Sequence, residues 1–409
     1  MVSDAPIPAL HIRDRPCAQG GLTGRLLVDD HVVMSINKLS ARFLPNPALQ
    51  RLKPYGAEER AILSMAGGVK ALAAISQWEG YRPTPLLSLP TIASACGVAS
   101  VHYKDEGRRF GLKSFKALGG GYAVQRLVER HGTAGMTVTC ATDGNHGRAV
   151  AWGARRAGIR AVIYVHEGVS EGRAAAIAGF GADIRREGRT YDDSVRASAD
   201  AASDHGWHIV SDTSWPGYED TPKAVMQGYA VLAMEIEAEG VRPSHVFVQG
   251  GVGGLAASVL SYRWEKFGAN RPVMTVVEPD KAACLFASAR AEALTAVGGD
   301  LNTVMAGLAC GEPSLLAWHI LSPGADAFMS IPDAAAVATM RDLAELGIVA
   351  GESGVAGLAG FRLAAQDAAM RAALSLDPTS RIVVYGTEGA TDPDVYRALV
   401  GRSPKDVAA

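Results

Sequence analysis

The 409-residue sequence has few cysteines, little net charge and no long apolar run. Its five cysteines are odd in number and scattered without a C-x-x-C pair, which argues against a disulfide framework or a zinc site and favours a reducing cytoplasm. The spacing of Cys284 and Cys310 leaves open whether these two pair. A formal net charge of -2 argues against a nucleic-acid-binding surface. Since no run of about 18 uncharged apolar residues and no signal-peptide pattern occurs, we expect neither a membrane span nor export.

Apolar residues make up 48% of the chain, enough for a large core, and the length predicts two or three domains. From about residue 136 short apolar runs alternate with helical patterns, which predicts βαβ units and a parallel sheet covered on both faces. The runs are MTVTCA, RAVIYVH, WHIVSD, SHVFVQ, PVMTVVE and RIVVYG. An inserted domain fits this pattern as well as two consecutive domains do. The first 50 or so residues have weak periodicity, so we expect an irregular segment or an oligomer arm.

One apolar run leads into a glycine cluster that opens a helix, VFVQGGVGGLAASV at residues 246 to 259. Such a turn exposes backbone N–H groups at the positive end of a helix, where a phosphate can bind. The same letters allow two other interpretations. The cluster can be a tight turn only, or Gly251, Gly253 and Ala256 can form a dinucleotide-binding G-x-G-x-x-A pattern with Glu278 at the ribose. The last interpretation would make the protein an NAD-binding oxidoreductase.

Three further apolar runs end in polar residues. Asp143 and Asn145 follow one strand, Asp212 follows another, and Thr387 and Glu388 follow a third. Helix capping is an alternative role for Asp143, Asn145 and Asp212. Because parallel strands bring their carboxyl ends to one edge of a sheet, we expect all of these side chains at one rim.

The segment GLKSFKALGG places Lys116 at the start of a helical pattern, where a lysine is usually a solvated surface residue. Together with the rim, however, Lys116 completes the set that a pyridoxal 5'-phosphate (PLP) site requires. Such a site needs a Schiff-base lysine, a phosphate pocket and a partner for the ring nitrogen. We expect burial to lower the pKa of Lys116.

With these pieces assembled, the sequence resembles the fold type II (tryptophan-synthase β-like) PLP enzymes over roughly residues 101 to 392. Within them it is most similar to the diaminopropionate ammonia-lyases. The resemblance is carried by KDEGRRFGLKSFKALGGGYA, ATDGNHGRAVAWGA, SDTSWPGYED, QGGVGGLAA, MAGLACGEPS and YGTEGATD. It implies an α/β fold of two domains, each a mostly parallel twisted sheet flanked by helices. The large domain would be residues 1–120 and 227–409, the small, mobile domain residues 121–226, and the assembly a homodimer.

The resemblance also implies roles for individual residues. Lys116 would be the Schiff-base lysine, Phe115 would lie beside the ring, and Asn145 would contact the phenolic oxygen. Thr387 falls at the ring-nitrogen position. The phosphate would be held by Gly250, Gly251, Val252, Gly253 and Gly254.

One residue departs from the related dehydratases, whose S-x-G-N loop has a serine where this sequence has Asp143. A carboxylate there repels a substrate carboxylate and attracts an ammonium group. We therefore expect PLP-dependent α,β-elimination of 2,3-diaminopropionate, as the D isomer, the L isomer or both, to pyruvate and two ammonia. The resemblance suggests that Lys116 and Asp143 are bases on opposite faces of the substrate. Asp143 and Asp212 would keep the leaving nitrogen protonated. The nearest alternative is a serine or threonine dehydratase, or another lyase acting on a β-substituted alanine.

Overall fold

The computed structural model describes residue 36 and residues 39–189 and 191–409. The expectation for the first 50 residues lies mostly outside these ranges, but part of that segment is not irregular. Arg42–Pro45 forms an edge strand. The strands are β1 (Arg42–Pro45), β2 (Leu86–Ser88), β3 (Ser100–Asp105), β4 (Thr137–Ala141), β5 (Arg160–Val165), β6 (Asp183–Arg186), β7 (His208–Ile209), β8 (His245–Gln249), β9 (Val273–Pro279), β10 (Ala327–Ile331) and β11 (Arg381–Gly386).

Seven of these strands form one sheet, the large sheet, in the order β1-β10-β9-β8-β11-β3-β2. Its five central strands are parallel, and only the edge strands β1 and β2 pair antiparallel with their neighbours. The chain runs from β8 outward through β9 to β10, and β11 then returns on the other side of β8. The strand order therefore reverses between β8 and β11.

The remaining four strands form the small sheet, in the order β6-β5-β4-β7, and all of its pairs are parallel. Here the chain runs outward from β4 to β6, and β7 then returns on the other side of β4. The order thus reverses between β4 and β7. Two largely parallel sheets confirm the expected fold class.

The large sheet is covered on both faces, which explains its uniformly apolar strands. Successive residues of β8 alternate between two hydrophobic clusters. Val246 and Val248 belong to the cluster on one face, and Phe247 belongs to the cluster on the other. In β11, Val383 and Tyr385 alternate in the same way with their neighbours.

Helices cover these faces and connect the strands. They are α1 (Ala57–Ile62), α2 (Met65–Ile75), α3 (Pro90–Ala95), α4 (Lys116–His131), α5 (Asn145–Ala157), α6 (Glu171–Ala178), α7 (Tyr191–His205), α8 (Asp220–Ala238), α9 (Gly254–Phe267), α10 (Cys284–Ala291), α11 (Leu315–Gly324), α12 (Asp333–Glu345), α13 (Ala356–Gln366), α14 (Ala368–Leu374), α15 (Pro393–Val400) and α16 (Pro404–Ala408). None of the helices in the described part of the chain combines the length and apolar character that a bilayer crossing requires.

The thiols of the described cysteines are free, so Cys284 and Cys310 are not paired in this structure. The side chain of Cys284 instead donates to the carbonyl of Gly251 at 3.5 Å.

Candidate active site

The points of reversal in both sheets face one cleft. Asp143 and Asp212 leave the small sheet where β4 meets β7, while Gly250 and Thr387 leave the large sheet where β8 meets β11, and all four line the cleft. Crevices at such points of reversal are the usual ligand sites of open α/β sheets. The single rim expected from the sequence is therefore a cleft between two sheets.

Lys116 is the first residue of α4 and lies in this cleft. The preceding segment is tied to the end of β11, because the Phe115 amide donates to the Thr387 carbonyl at 3.0 Å. The Gly389 amide donates to the Lys113 carbonyl at the same distance. These two hydrogen bonds position Lys116 in the cleft, where its Nζ lies 5.4 Å from the centre of the Phe115 ring. Lys116 is thus not a solvated surface residue.

The Lys116 ammonium forms an ion pair and hydrogen bond with Asp212 Oδ2. Burial is the largest influence and would lower the pKa of Lys116, but the charge of Asp212, with Tyr229 and the hydrogen bond to Asp212, together raise it well above its ordinary value. Burial would raise the pKa of Asp212. The electrostatic influence of Lys116, and after it that of His146, lowers this pKa instead. Our expectation of a lowered lysine pKa is wrong for this state, because a carboxylate 96 positions away in sequence contacts the amine.

The N-cap residue of α5 is Gly144. The side chain that bonds an amide of the first turn is that of Thr142, not Asp143 or Asn145. The Thr142 hydroxyl accepts hydrogen bonds from the amides of Gly144 and Gly147, both at 3.0 Å. Both other side chains are therefore available to the cleft that they line. Asp143 Oδ1 lies 2.8 Å from the Nε2 of His166.

Asn145 is oriented from both ends of its amide. Its Oδ1 accepts a hydrogen bond from Arg148 at 3.0 Å, and its Nδ2 donates to Glu388 Oε2. Glu388 is buried and also accepts the Ser353 amide at 3.0 Å. The second hydrogen on Asn145 Nδ2 remains for a ligand in the cleft.

The glycine turn, residues 250–254, has left-handed backbone at Gly251 (φ +59°) and Gly253 (φ +98°). Its carbonyl at Val252 accepts the Ser314 amide at 2.9 Å. In the described part of the chain, no acceptor bonds the amides of Gly251, Val252 or Gly254, and all three residues line the cleft. These free N–H groups at the start of α9 form an anion cradle.

Two glycines of this turn have their amides occupied. The Gly250 amide donates to the Val277 carbonyl at 2.9 Å, and the Gly253 amide donates to the Gly250 carbonyl at 3.1 Å. Gly253 is also outside the cleft lining, since a Cβ there would lie 3.0 Å from the Cβ of Ala317. Gly250 and Gly253 therefore shape the turn and leave the anion to the other three amides.

Glu278 does not face the cleft, which removes the basis of the dinucleotide alternative. Its carboxylate is fully buried and accepts the amides of Leu285 and Phe286 at 2.9 and 2.7 Å. A Cβ at Gly250 would lie 2.6 Å from Glu278 Cγ. This carboxylate supports the start of α10 and the back of the glycine turn, and burial raises its pKa to about 8. A ribose in the cleft cannot reach it.

Glu352, which the sequence analysis did not single out, lines the cleft beside Glu388. Burial, and then the nearby Glu388, raise the pKa of Glu352 to about 7. Arg173 of α6 reaches it from the small-sheet side, with Nη2 2.9 Å from Glu352 Oε1. Glu352 lies in the loop between α12 and α13. This loop has neither strand nor helix periodicity, so no local pattern in the sequence marked Glu352 as a functional residue.

Gln249 and Tyr229 are two further lining residues that sequence reasoning missed. Gln249 Nε2 donates to the carbonyls of Gly354 and Tyr385 at 2.8 and 2.7 Å, whereas its Oε1 is buried without a partner in the described part of the chain. The buried Tyr229 hydroxyl likewise has no partner within hydrogen-bonding geometry there. Gln249 is the last residue of β8, and this position was its only sequence signal.

The cleft residues fit PLP. Three free amides suit its phosphate, the buried Thr387 and the Asn145 amide suit polar ring atoms, and the Lys116 amine suits its aldehyde. The buried Oε1 of Gln249, which has no partner in the described part of the chain, suits a polar occupant.

Comparison with known proteins agrees with this fit. The family model for pyridoxal-phosphate dependent enzymes matches residues 77–388. The chain is 41% identical over 357 residues to a diaminopropionate ammonia-lyase of Escherichia coli strain K12, covering 80% of this chain and 90% of that one. It is 37% identical to a diaminopropionate ammonia-lyase of Salmonella typhimurium strain LT2, with 86% and 97% coverage. The crystal structure of holo diaminopropionate ammonia lyase from Escherichia coli superposes with a TM-score of 0.81 at 37% identity, covering 88% of this chain and 97% of that one.

Proposed function

Because this chain belongs to the pyridoxal-phosphate dependent enzymes and, within them, to the diaminopropionate ammonia-lyase family, we propose that it converts 2,3-diaminopropionate and water to pyruvate and two ammonia. The observation that carries the proposal is that Lys116, Asp143 and Asp212 line one cleft beside the free amides of the glycine turn. An amine and two carboxylates in that place suit a substrate with two ammonium groups.

PLP, when bound, supplies the electron sink that stabilises negative charge at Cα. We assign the residues that would hold it from their positions in the cleft. Lys116 would bond the aldehyde carbon, the amides of Gly251, Val252 and Gly254 would bind the phosphate, and Phe115 would lie beside the ring. Asn145 would donate to the phenolic oxygen, and the Thr387 hydroxyl would face the ring nitrogen.

Asp212 controls whether Lys116 is protonated. While the two are paired, the amine is held protonated and is not a nucleophile or a base. Lys116 becomes reactive when the pair separates, because the lowered pKa of Asp212 disfavours proton transfer to its carboxylate while the two are paired. The separated Lys116 Nζ can then take the Cα proton on one face of the substrate.

The departing β-nitrogen must stay protonated in both isomers, because an amide ion cannot leave in water, and Asp212 would serve that role. Asp143 takes the Cα proton on the opposite face, for one isomer only. Its position where dehydratases have serine favours a β-ammonium over a β-hydroxyl substrate. A serine or threonine dehydratase, which would use the same cleft, is for this reason only the second candidate.

The decisive measurement is pyruvate release from D- and L-2,3-diaminopropionate beside D- and L-serine. We expect the diaminopropionate isomers to have the highest kcat/KM. Asp143→Asn should impair one diaminopropionate isomer far more than the other. Equal loss for both isomers would contradict the assignment of opposite faces, and a preference for serine would favour the dehydratase.

Cofactor loading gives an independent check. The purified protein should show the visible absorption band of lysine-bound PLP, and Lys116→Ala should lose it. Lys113→Ala is a matched control, because that lysine donates to the Ala390 carbonyl and does not line the cleft. A colourless wild type that binds no PLP but quenches NADH fluorescence would reverse our choice of cofactor.

We extend the proposal to the setting of the enzyme. Residues 121–226, which contain the small sheet, would move as a small domain against residues 1–120 and 227–409. The family resemblance supports a homodimer and a role in amino-acid catabolism, and the free thiols suit the cytoplasm. Sedimentation of the PLP-loaded protein tests the dimer.

A further inference from the structure

Asp143 has a hydrogen-bond partner that its own segment of sequence does not reveal. The Nε2 of His166 lies 2.8 Å from Asp143 Oδ1. Asp143 follows β4 and His166 follows β5, and these are parallel neighbours whose last paired residues are Ala141 and Tyr164. The two side chains therefore leave the same edge of the small sheet, one strand apart, and both are partly buried.

The backbone fixes which ring nitrogen of His166 carries the proton. The Gly168 amide donates to His166 Nδ1 at 3.1 Å, so Nδ1 must present a lone pair. In a neutral imidazole the proton is then on Nε2, which faces Asp143. A Cβ at position 168 would lie 2.9 Å from His166 Cε1, so glycine permits this approach. The imidazole is a fixed donor to Asp143 Oδ1.

The other oxygen of Asp143 is left for the cleft. No donor in the described part of the chain bonds Asp143 Oδ2, and the Thr142 hydroxyl already accepts the amides at the start of α5. The hydrogen bond from His166 to Oδ1 restricts rotation of the Asp143 carboxylate. A hydrogen bond that fixes a reacting group in this way acts through orientation.

We propose that His166 is a positioning residue for Asp143, holding Oδ1 so that Oδ2 is presented to the substrate. The inference rests on the proposed function, in which Asp143 serves one face of the substrate. His166 then matters for the isomer that Asp143 serves and not for the isomer whose Cα proton goes to Lys116. If His166 merely anchored the loop after β5, its loss would affect both isomers alike.

The test compares His166→Phe, which keeps a ring without the donor, with His166→Gln, which keeps an N–H donor. We expect His166→Phe to lower kcat tenfold or more for the same diaminopropionate isomer that Asp143→Asn impairs, as for a lost hydrogen bond to a charged group. The other isomer should change less than about twofold, a limit set by the small effects of substitutions away from the reacting groups. His166→Gln should restore most of the loss.

His208→Phe is the matched control, because His208 lies in β7 of the same sheet and outside the cleft lining. It should leave both isomers unchanged. A second readout needs no turnover: ¹⁵N NMR of the histidine side chains should show His166 as the Nε2–H tautomer, and Asp143→Asn should move that signal.

These outcomes distinguish a failure of the role of His166 from a failure of the proposed function. An equal loss for both isomers, no recovery in His166→Gln, or an Nδ1–H tautomer would overturn the role of His166 and leave the proposed function standing. A wild type that releases no pyruvate from either isomer would overturn the proposed function, and the role of His166 with it.

Discussion

Replacing Asp212 by asparagine tests the charge pairing on which the lysine chemistry depends. Both partners are largely buried, with 18% of the Lys116 side chain and 12% of the Asp212 side chain exposed. Removing one partner of a buried ion pair typically costs about 3 to 5 kcal/mol of unfolding free energy. Because the cleft is open to water, we expect the lower end, about 3 kcal/mol, for the PLP-free protein at neutral pH.

The pH dependence has a definite sign. The pKa of Lys116 is raised on folding, so its contribution is complete below about pH 10 and is lost only as pH rises through the raised value. The pKa of Asp212 is lowered, so its contribution is complete above about pH 4 and is lost only as pH falls through the lowered value. The pair thus stabilises the wild type evenly between these limits.

In Asp212→Asn the main influence left on Lys116 is burial, which lowers its pKa. The charged lysine then destabilises the fold at neutral pH, and this cost disappears as pH rises toward about 10 and the amine loses its proton. The difference in unfolding free energy between variant and wild type should therefore shrink between pH 7 and pH 10.

The assay is urea unfolding of PLP-free protein, followed by tryptophan fluorescence at several pH values. Asp220→Asn is the matched control, because Asp220 forms a surface pair with Arg130 in which both side chains are mostly exposed. It should cost less than about 1 kcal/mol. An Asp212→Asn variant as stable as the wild type at pH 7, or a deficit that does not vary with pH, would refute the reasoning.

Three other predictions concern the cleft. Gly253→Ala places a Cβ at φ +98° and 3.0 Å from a neighbouring methyl group, so it should cost about 1 to 3 kcal/mol and weaken PLP binding, measured by equilibrium dialysis. Gly135→Ala has φ +70° in open space and should leave PLP affinity unchanged; equal affinities of the two variants would count against the turn as the anion cradle. Glu352 has its pKa raised to about 7 by burial and by Glu388, so wild-type stability should fall as pH rises from about 4.5 to 7, and Glu352→Gln should flatten this part of the urea-unfolding profile; an unchanged slope would show that Glu352 ionises freely. Glu388→Gln must turn an amide NH₂ toward one of two donors, Asn145 or a backbone amide, so PLP affinity should fall about tenfold, and an unchanged affinity would mean that Asn145 does not depend on this contact.

The central strands were readable from sequence because their side chains are apolar on both faces. RIVVYG was predicted as a strand, and β11 spans Arg381–Gly386. The edge strands β1 and β2 escaped prediction because they are short and have one or both faces partly exposed. WHIVSD was predicted as a strand, but only His208–Ile209 pairs with β4 before the chain turns into the loop that carries Asp212.

Local patterns also left several roles open that only contacts could decide. Sequence spacing allowed Asp143 or Asn145 to cap α5, but the side chain of the neighbouring Thr142 bonds the amides there instead. Glu278 fitted a ribose-binding position by spacing, yet its carboxylate points behind the glycine turn to α10. In each case the residue type suited the predicted role. The direction of the side chain, however, depends on backbone geometry that sequence spacing does not specify.

By itself the sequence determined the fold class, a lysine at the start of a helix, and the chemical groups at the ends of the strands: two aspartates, an asparagine, a threonine and a glycine turn. The tertiary structure decided which of these groups meet and in what charge state. It brought the points of reversal of two sheets to one cleft, joined Lys116 to Asp212, and placed His166 against Asp143. The physical reason is that strand and helix preferences act between neighbours in the chain, whereas charge, desolvation and hydrogen bonding depend on distances through space.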